Sequence, residues 1–555
     1  MRLQILLTSL LVLAVVSASP IRAAELHKAI DEFVARAAGE ATPADRSSDA
    51  ELLRRVSLDF SGRIPTSAAV RAFLDDASPD KRQKLIDSLL ASPRYAERMA
   101  DLFDVMLMER RGEDAEWRAW LVRSFAENKP WNQLVHELLD PDAENEAARA
   151  SAFFMTKRLE KYGQNPTDFP GLTRDIGRLF LGFDLQCAEC HDHLFISDYK
   201  QVDFQGLFTV YQNTFVRRDV KFPAIGEKAM TAPLEFVSVF DPTKKKTGPR
   251  IPLGKSFEVP EGIVLPKNPK TAPPRPEFSG VRLIARELTH TENRQFARNA
   301  VNRLWFVLLG RGIVHPLDLH HEENAPSHPK LLERLTDDFM AHKFDVKWLL
   351  REIALSETYQ RSSRLADASG NAAPPSPSSF LLALESRLSA EQLAESVLIA
   401  TGELERLTAQ SEKQKTETPK KAATTKPIAE TEEAEPELTI DAVKAAFKTS
   451  FANAAREPED GVSSTVKGAL FWRNAVPVQQ LLRRRPGNLV DRLASESDNV
   501  KMVEELYLSV LTRPPSEEES QLIVDFVTSY GEDRELAIRD AAWALLTSSE
   551  FYVNH

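Results

Sequence analysis

Leu185-Gln186-Cys187-Ala188-Glu189-Cys190-His191-Asp192-His193 holds both cysteines of a 555-residue chain, three positions apart and followed at once by histidine. Two thiols at that spacing with an adjacent imidazole form the C-x-x-C-H pattern of covalent c-type haem attachment. Thiols one helical turn apart both reach the vinyl groups of one porphyrin, and the next side chain then lies under the iron. On this reading Cys187 and Cys190 are the anchors, His191 is the proximal axial ligand, and a helical domain surrounds them. Three alternatives stay open beside it. The pair could close on itself as a disulfide or redox couple in an oxidising compartment. Cys187, Cys190 and His193 could supply three ligands to zinc or another transition metal, with a distant imidazole or carboxylate completing the tetrahedron. The juxtaposition could also be chance.

Working outward, Ile176, Leu179, Phe180 and Phe183 share one face of a helix expected from about Leu172 to Leu185. Past the motif, Phe204, Leu207, Phe208, Val210 and Tyr211 form a second amphipathic segment. Upstream, from Leu26 to about Leu139, apolar residues recur at three and four: Leu52, Leu53, Val56 and Leu58, then Leu85, Ile86, Leu89 and Leu90. Ser78-Pro79-Asp80 places a cap, a first-turn proline and an acid in helix-starting order. Trp117, Trp120, Leu121 and Phe125 continue the spacing as core residues.

Between residues 217 and 280 the composition turns to proline, glycine, lysine and β-branched residues, which predicts short strands and turns. Gly254-Lys255-Ser256 there resembles the end of a phosphate loop. It fails because five residues separate its glycine from Gly248, and two of those are prolines without N–H groups. Helix returns from Val281 to about Leu309 and from Ser327 to Tyr359, with Ser327 expected as a cap. The intervening loop carries His315, His320 and His321. His321-Glu322 would need histidine at 324 to make a zinc-protease motif and finds Asn324. Ser389-x-x-Gln392 and Ser516-x-x-Glu519 are capping boxes, while residues 408–437 lose all apolar periodicity and read as a disordered charged linker. The expected fold is therefore mainly α. One helical domain, 25–216, carries the motif. The β/turn-rich connector 217–280 follows it, and a second helical domain spans 281–407 and 438–555.

A net charge of −11 with 42% apolar residues excludes nucleic acid as the expected partner, since Lys244-Lys245-Lys246 and Arg483-Arg484-Arg485 are short runs. Residues 1–24 have the form of a signal peptide: Arg2, the apolar run Leu3–Val16, then the small residues Ala18, Ala23 and Ala24. The run is shorter than the ~20 residues of a membrane span, so export to the periplasm or cell surface without a retained anchor is expected. No G-x-S-x-G or zinc-protease motif occurs, and an electron carrier or redox sensor with a redox partner protein at the cell surface or in the periplasm is favoured over a catalyst, the alternative being a non-haem metal-binding or structural exported protein.

Several ordered stretches resemble the secreted planctomycete cytochrome-c-like proteins, in which a C-x-x-C-H domain precedes a second domain of unknown role. They include Leu53 to Thr66, Leu89 to Tyr95, Gln186 to His193, Asn293 to Trp305, Gly310 to Val314, Pro326 to Pro329, and Glu550-Phe551 with Asn554-His555. The resemblance implies one covalent haem c at Cys187 and Cys190 with His191 below the iron. It also makes His328, at a position matching the family, the choice for a sixth ligand, ahead of Met230, His320 and His321. His193 is assigned to orienting a neighbour by hydrogen bonding, or to the alternative metal site. Where the family reads His-Pro-Phe, this chain has His193-Leu194-Phe195.

Overall fold

The computed structural model describes residues 25–161, 163–263, 274–365, 374–416, 438–457 and 466–555. The signal-peptide residues 1–24 and positions 417–437 of the charged linker lie outside that set. Among the described residues the protein is mainly α-helical, with three two-stranded antiparallel pairings as its only sheets. No helix among them is long and apolar enough to cross a membrane.

Helix ends follow local chemistry. Ser48 caps Asp49–Ser61 by accepting from the Glu51 N–H at 3.1 Å, and Gly62 closes that helix in the left-handed region. Ser389 and Ser516 form the two expected capping boxes with Gln392 and Glu519. Other starts differ from the sequence pattern. The helix after Ser78-Pro79-Asp80 begins at Lys81 with Asp80 at the cap position and no side-chain cap, because the Ser78 N–H is turned back onto Asp76. His328, not Ser327, occupies the cap position of Pro329–Ala341, while the Ser327 hydroxyl donates to the Ile313 carbonyl. The expected Val281–Leu309 helix is two, Gly280–Leu288 and Arg294–Leu309, because Asn293 caps the second by accepting from the Phe296 N–H. Residues 408–416, expected in the linker, instead finish the helix Glu403–Thr416.

Apolar packing divides the molecule at a place the composition does not mark. Side chains from Leu26 to Leu381 share one core, so the helices on both sides of the 217–280 connector are packed together. Gly280–Leu288 lies on Trp131–Leu139 and Gln201–Tyr211, and Pro329–Ala341 and Val346–Leu355 lie on Leu26–Ala38. A second core runs from Leu388 to Phe551 and takes in Leu58 and Ile64. Asp49–Ser61 is the seam between the cores. Its Leu52, Val56 and Phe60 enter the first, its Leu58 enters the second, and Leu53 meets Val70 and Leu508.

A helix contacted on every side must bury its polar residues too, and each needs a partner. Arg54 donates to the Phe551 carbonyl at 2.8 Å. Arg55 donates to the carbonyls of Tyr359 (2.5 Å) and Arg361 (2.9 Å) and to the backbone oxygen of His555 (2.6 Å), and pairs with Glu51 at 2.7 Å. Asp59 accepts from the Tyr359 hydroxyl at 2.6 Å and from Asn554 Nδ2 at 2.8 Å. Antiparallel pairing of Ser386–Arg387 with Val553–Asn554 holds the far end of the chain in the same place.

The connector forms two hairpins, Thr214–Val216 with Ile225–Glu227 and Leu234–Phe236 with Lys245–Thr247. Strand and turn were expected here and are found, although the apolar run 234–240 is strand only to Phe236.

Candidate functional site

The chain reaches the motif through a helix that ends early. Phe169–Ile176 is α-helical, Gly177–Leu181 widens to a π turn, and Gly182 leaves it at φ 73°, four residues before the expected end at Leu185. Only glycine suits Gly182, since a Cβ there would lie 2.5 Å from the His320 ring and 2.8 Å from Asn299 Oδ1, besides the positive φ. The loop with the dense histidines then catches the emerging strand. The His320 N–H donates to the Gly182 carbonyl at 3.0 Å and the Asp184 N–H to the Asp318 carbonyl at 2.9 Å, with a bridge between Phe183 and Leu319.

Cys187–Glu189 is a single 3₁₀ turn, and the N–H groups of Cys190 and His191 both point at the Cys187 carbonyl at 3.3 Å. Both cysteines are exposed free thiols, so no disulfide joins them. The turn is fastened on two sides. Gln205 donates to the Glu189 carbonyl at 2.9 Å, and Asp192 accepts the Gln201 N–H at 2.8 Å, capping the helix Gln201–Tyr211. On the other side the Val239 N–H donates to the Cys190 carbonyl at 3.1 Å, and Gln201 Nε2 holds the Val237 carbonyl at 3.0 Å.

The two neighbouring histidines are separated by their hydrogen bonds. Nδ1 of His191 lies 2.7 Å from the Asp192 carbonyl oxygen, which can only accept. In the neutral ring that nitrogen therefore carries the proton, and Nε2 keeps its lone pair. Nδ1 of His193 instead accepts two backbone N–H groups, from Phe195 at 3.2 Å and Ile196 at 3.0 Å. A neutral His193 thus keeps its proton on Nε2 and serves to shape the 193–196 turn. The partners of Nδ1 are thus backbone groups of its own turn, and the tetrahedral site with Cys187, Cys190 and His193 is not assembled. Among the described residues no three His, Cys, Asp or Glu side chains converge as a metal-ion site.

The other candidates lie in different surroundings. The His328 ring is buried on Phe380, 5.3 Å between centroids, with Nδ1 3.1 Å from the Ser327 hydroxyl and Nε2 without a partner; burial lowers its pKa. The Met230 sulfur is buried and accepts from the Thr209 hydroxyl at 3.9 Å. Burial pushes His320 down to about 3, so it is a neutral core residue, with Nε2 3.4 Å from Asn302 Nδ2. His321 stacks edge-on against Tyr199 at 5.4 Å, and Tyr199 also meets His193 at 6.1 Å and Phe183 at 5.8 Å.

Around the thiols the surface is apolar. Phe195 is 84% exposed, Phe240 and Val239 67%, Leu194 64% and Val237 51%, and the Phe240 ring stands 4.8 Å from the His191 ring. Sequence inspection had no signal for this, because residues 237–240 reach the motif only through the hydrogen bonds to Cys190 and Gln201. On the opposite side of the turn, Glu189 pairs with Arg174, which lines a cavity of about 650 Å³. Its walls are polar, and Arg111, Lys157 and Arg158 are engaged by Asp175 and Glu160, which makes it a poor receptor for a porphyrin face.

The fold and this turn define a mainly helical protein of two fused cores that presents an exposed C-x-x-C-H motif beside apolar side chains. Residues 29–215 match the family model PSCyt2, a protein of unknown function (DUF1549), and residues 282–527 match PSD1, likewise a protein of unknown function (DUF1553). Both are planctomycete-associated domains. No curated protein and no solved structure gives a significant match.

Proposed function

We propose that the protein is an exported c-type cytochrome-like electron carrier with one covalent haem at Cys187 and Cys190 and with His191 Nε2 as the proximal ligand. The observation that carries this reading is the turn itself, in which two exposed free thiols flank an imidazole whose Nδ1 proton is held by the Asp192 carbonyl. The donor set fits the group. Each thiol would add across one vinyl, the S–H proton passing to the neighbouring vinyl carbon with no change in electron count, while His191 supplies an unprotonated nitrogen. Once bound, the haem supplies a one-electron couple. The signal-like segment Arg2–Ala24 agrees with attachment outside the cytoplasm, in the periplasm or at the cell surface. The packed module that continues to residue 555 would serve as scaffold or docking surface for a redox partner.

The test is a pyridine haemochrome spectrum, with haem stain on a denaturing gel, for protein exported in a strain that has c-type maturation machinery. Wild type is expected to carry a haem band that Cys187→Ala/Cys190→Ala lacks. A colourless wild type beside a correctly matured control cytochrome would overturn the reading, and metal analysis of that sample would then test a Cys/His site.

A further inference from the structure

The 217–280 connector looks like a spacer, since the family matches stop at 215 and resume at 282. Its second hairpin is nevertheless bonded to the motif. The Val239 N–H donates to the Cys190 carbonyl at 3.1 Å, the Val237 carbonyl accepts from Gln201, which sits on the helix behind the motif, and Phe240 packs on the His191 ring. The segment is thus held against Cys190 and the His191 imidazole. Its three apolar side chains still face solvent, as do Leu194 and Phe195 on the motif's other flank. Scattered exposed apolar residues are ordinary, but three in one loop bonded to the motif, with two more four and five positions after Cys190, are not scattered, and a surface of that kind marks one that is covered in the working state.

We infer that Val237, Val239 and Phe240, with Leu194 and Phe195, are the apolar wall of the cofactor site, so that the connector hairpin is part of the haem crevice. This rests on the haem reading above. The occupant is the tetrapyrrole rather than another protein, because the patch adjoins the only two thiols of the chain and His191, whose Nδ1 is held by the Asp192 carbonyl. A ring held by all three reaches the hairpin, since Phe240 already touches the imidazole. The wall keeps water from the porphyrin edge, and burial of that kind raises a haem potential relative to an exposed one.

The experiment compares wild type, Val239→Ser/Phe240→Ser, Leu522→Ser as an exposed apolar control in the second core, and Cys187→Ala/Cys190→Ala, all exported with the maturation machinery. Attachment, read by haem stain, depends on the thiols and is expected in the first three. Val239→Ser/Phe240→Ser is expected to shift the midpoint potential downward and move the Soret band, while Leu522→Ser moves neither. Binding of the apolar dye anilinonaphthalene sulfonate is expected to be several-fold stronger in the haem-free Cys187→Ala/Cys190→Ala protein than in haem-loaded wild type. Attached haem with an unchanged potential and spectrum in Val239→Ser/Phe240→Ser, and equal dye binding with and without haem, overturns the wall and leaves the haem reading standing. Loss of dye binding only on self-association of the haem-free protein would likewise overturn it. A wild type without haem overturns both.

Discussion

Two stretches of this chain treat burial in opposite ways. Asp49–Ser61 is enclosed on all sides although it contains Arg54, Arg55 and Asp59, and every one of these has partners hundreds of residues away. Residues 194–195 and 237–240 carry Leu194, Phe195, Val237, Val239 and Phe240 and leave them in water. The first stretch takes on the desolvation cost of charge to join two cores. The second forgoes the gain of burying large apolar groups, roughly 1.5–3 kcal/mol for each side chain. The seam is held by buried charge, whereas the surface around the thiols leaves apolar side chains exposed.

Substitutions should separate the two regions cleanly. Arg55→Ala strips four acceptors, among them Glu51 and three backbone oxygens, and is expected to cost about 3–5 kcal/mol in urea unfolding, or to prevent folding in a less stable background. Asp59 gives a pH signature. Burial raises its pKa from 3.8 to about 6, against the lowering pull of the Tyr359 hydroxyl, Arg98, Arg55 and Asn554. The folded protein therefore binds the Asp59 proton more tightly than the unfolded chain does. That contribution to stability is full below about pH 4 and is lost as pH rises through 6, a change of about 3 kcal/mol. Asp59→Asn should remove that part of the slope when urea midpoints at pH 4 and pH 7 are compared with wild type. An unchanged slope would mean that another group dominates the seam.

Smaller effects calibrate the contrast. Ser516→Ala deletes one half of the capping box at Glu517–Ser529 and should lower stability by about 1 kcal/mol. Val239→Ser/Phe240→Ser in haem-free protein should change stability by no more than about 0.5 kcal/mol. A loss of several kcal/mol there would show that the patch already supports the fold and is not held in reserve. Cys187 and Cys190, both exposed, should react with a thiol reagent in the folded haem-free protein at a rate close to that of the unfolded chain.

Much of the helical scaffold was legible in the sequence because it is written locally. Ser389, Ser516 and the apolar recurrence through Leu52, Val56 and Phe125 each announce themselves within one or two turns. Strand and turn in the connector were legible for the same reason. The seam was not, since nothing near Arg55 or Asp59 indicates that Tyr359 and Asn554 will meet them. The core boundary near residue 385 was also hidden, because a change of composition marks a change of secondary structure and not of packing partner. At the motif, the thiol spacing named the candidate residues, but the different duties of His191 and His193 rest on hydrogen bonds to Asp192, Phe195 and Ile196, which spacing does not encode. The end of the preceding helix could have been placed from Gly182, whose position ahead of an extended stretch is a stop signal.

The seam also imposes an order of events. Arg54 and Asp59 are joined to Phe551 and Asn554 across 497 and 495 positions of chain. At ribosomal speeds of about 5–20 residues per second, the partners of this helix are made roughly 25–100 s after it. Until then Arg54 lacks its Phe551 acceptor and Asp59 its Asn554 donor, so the two cores close late, as the most non-local step of a long chain. The helix that joins the two cores is thus completed by residues 497 and 495 positions further along, made after the whole of the first core.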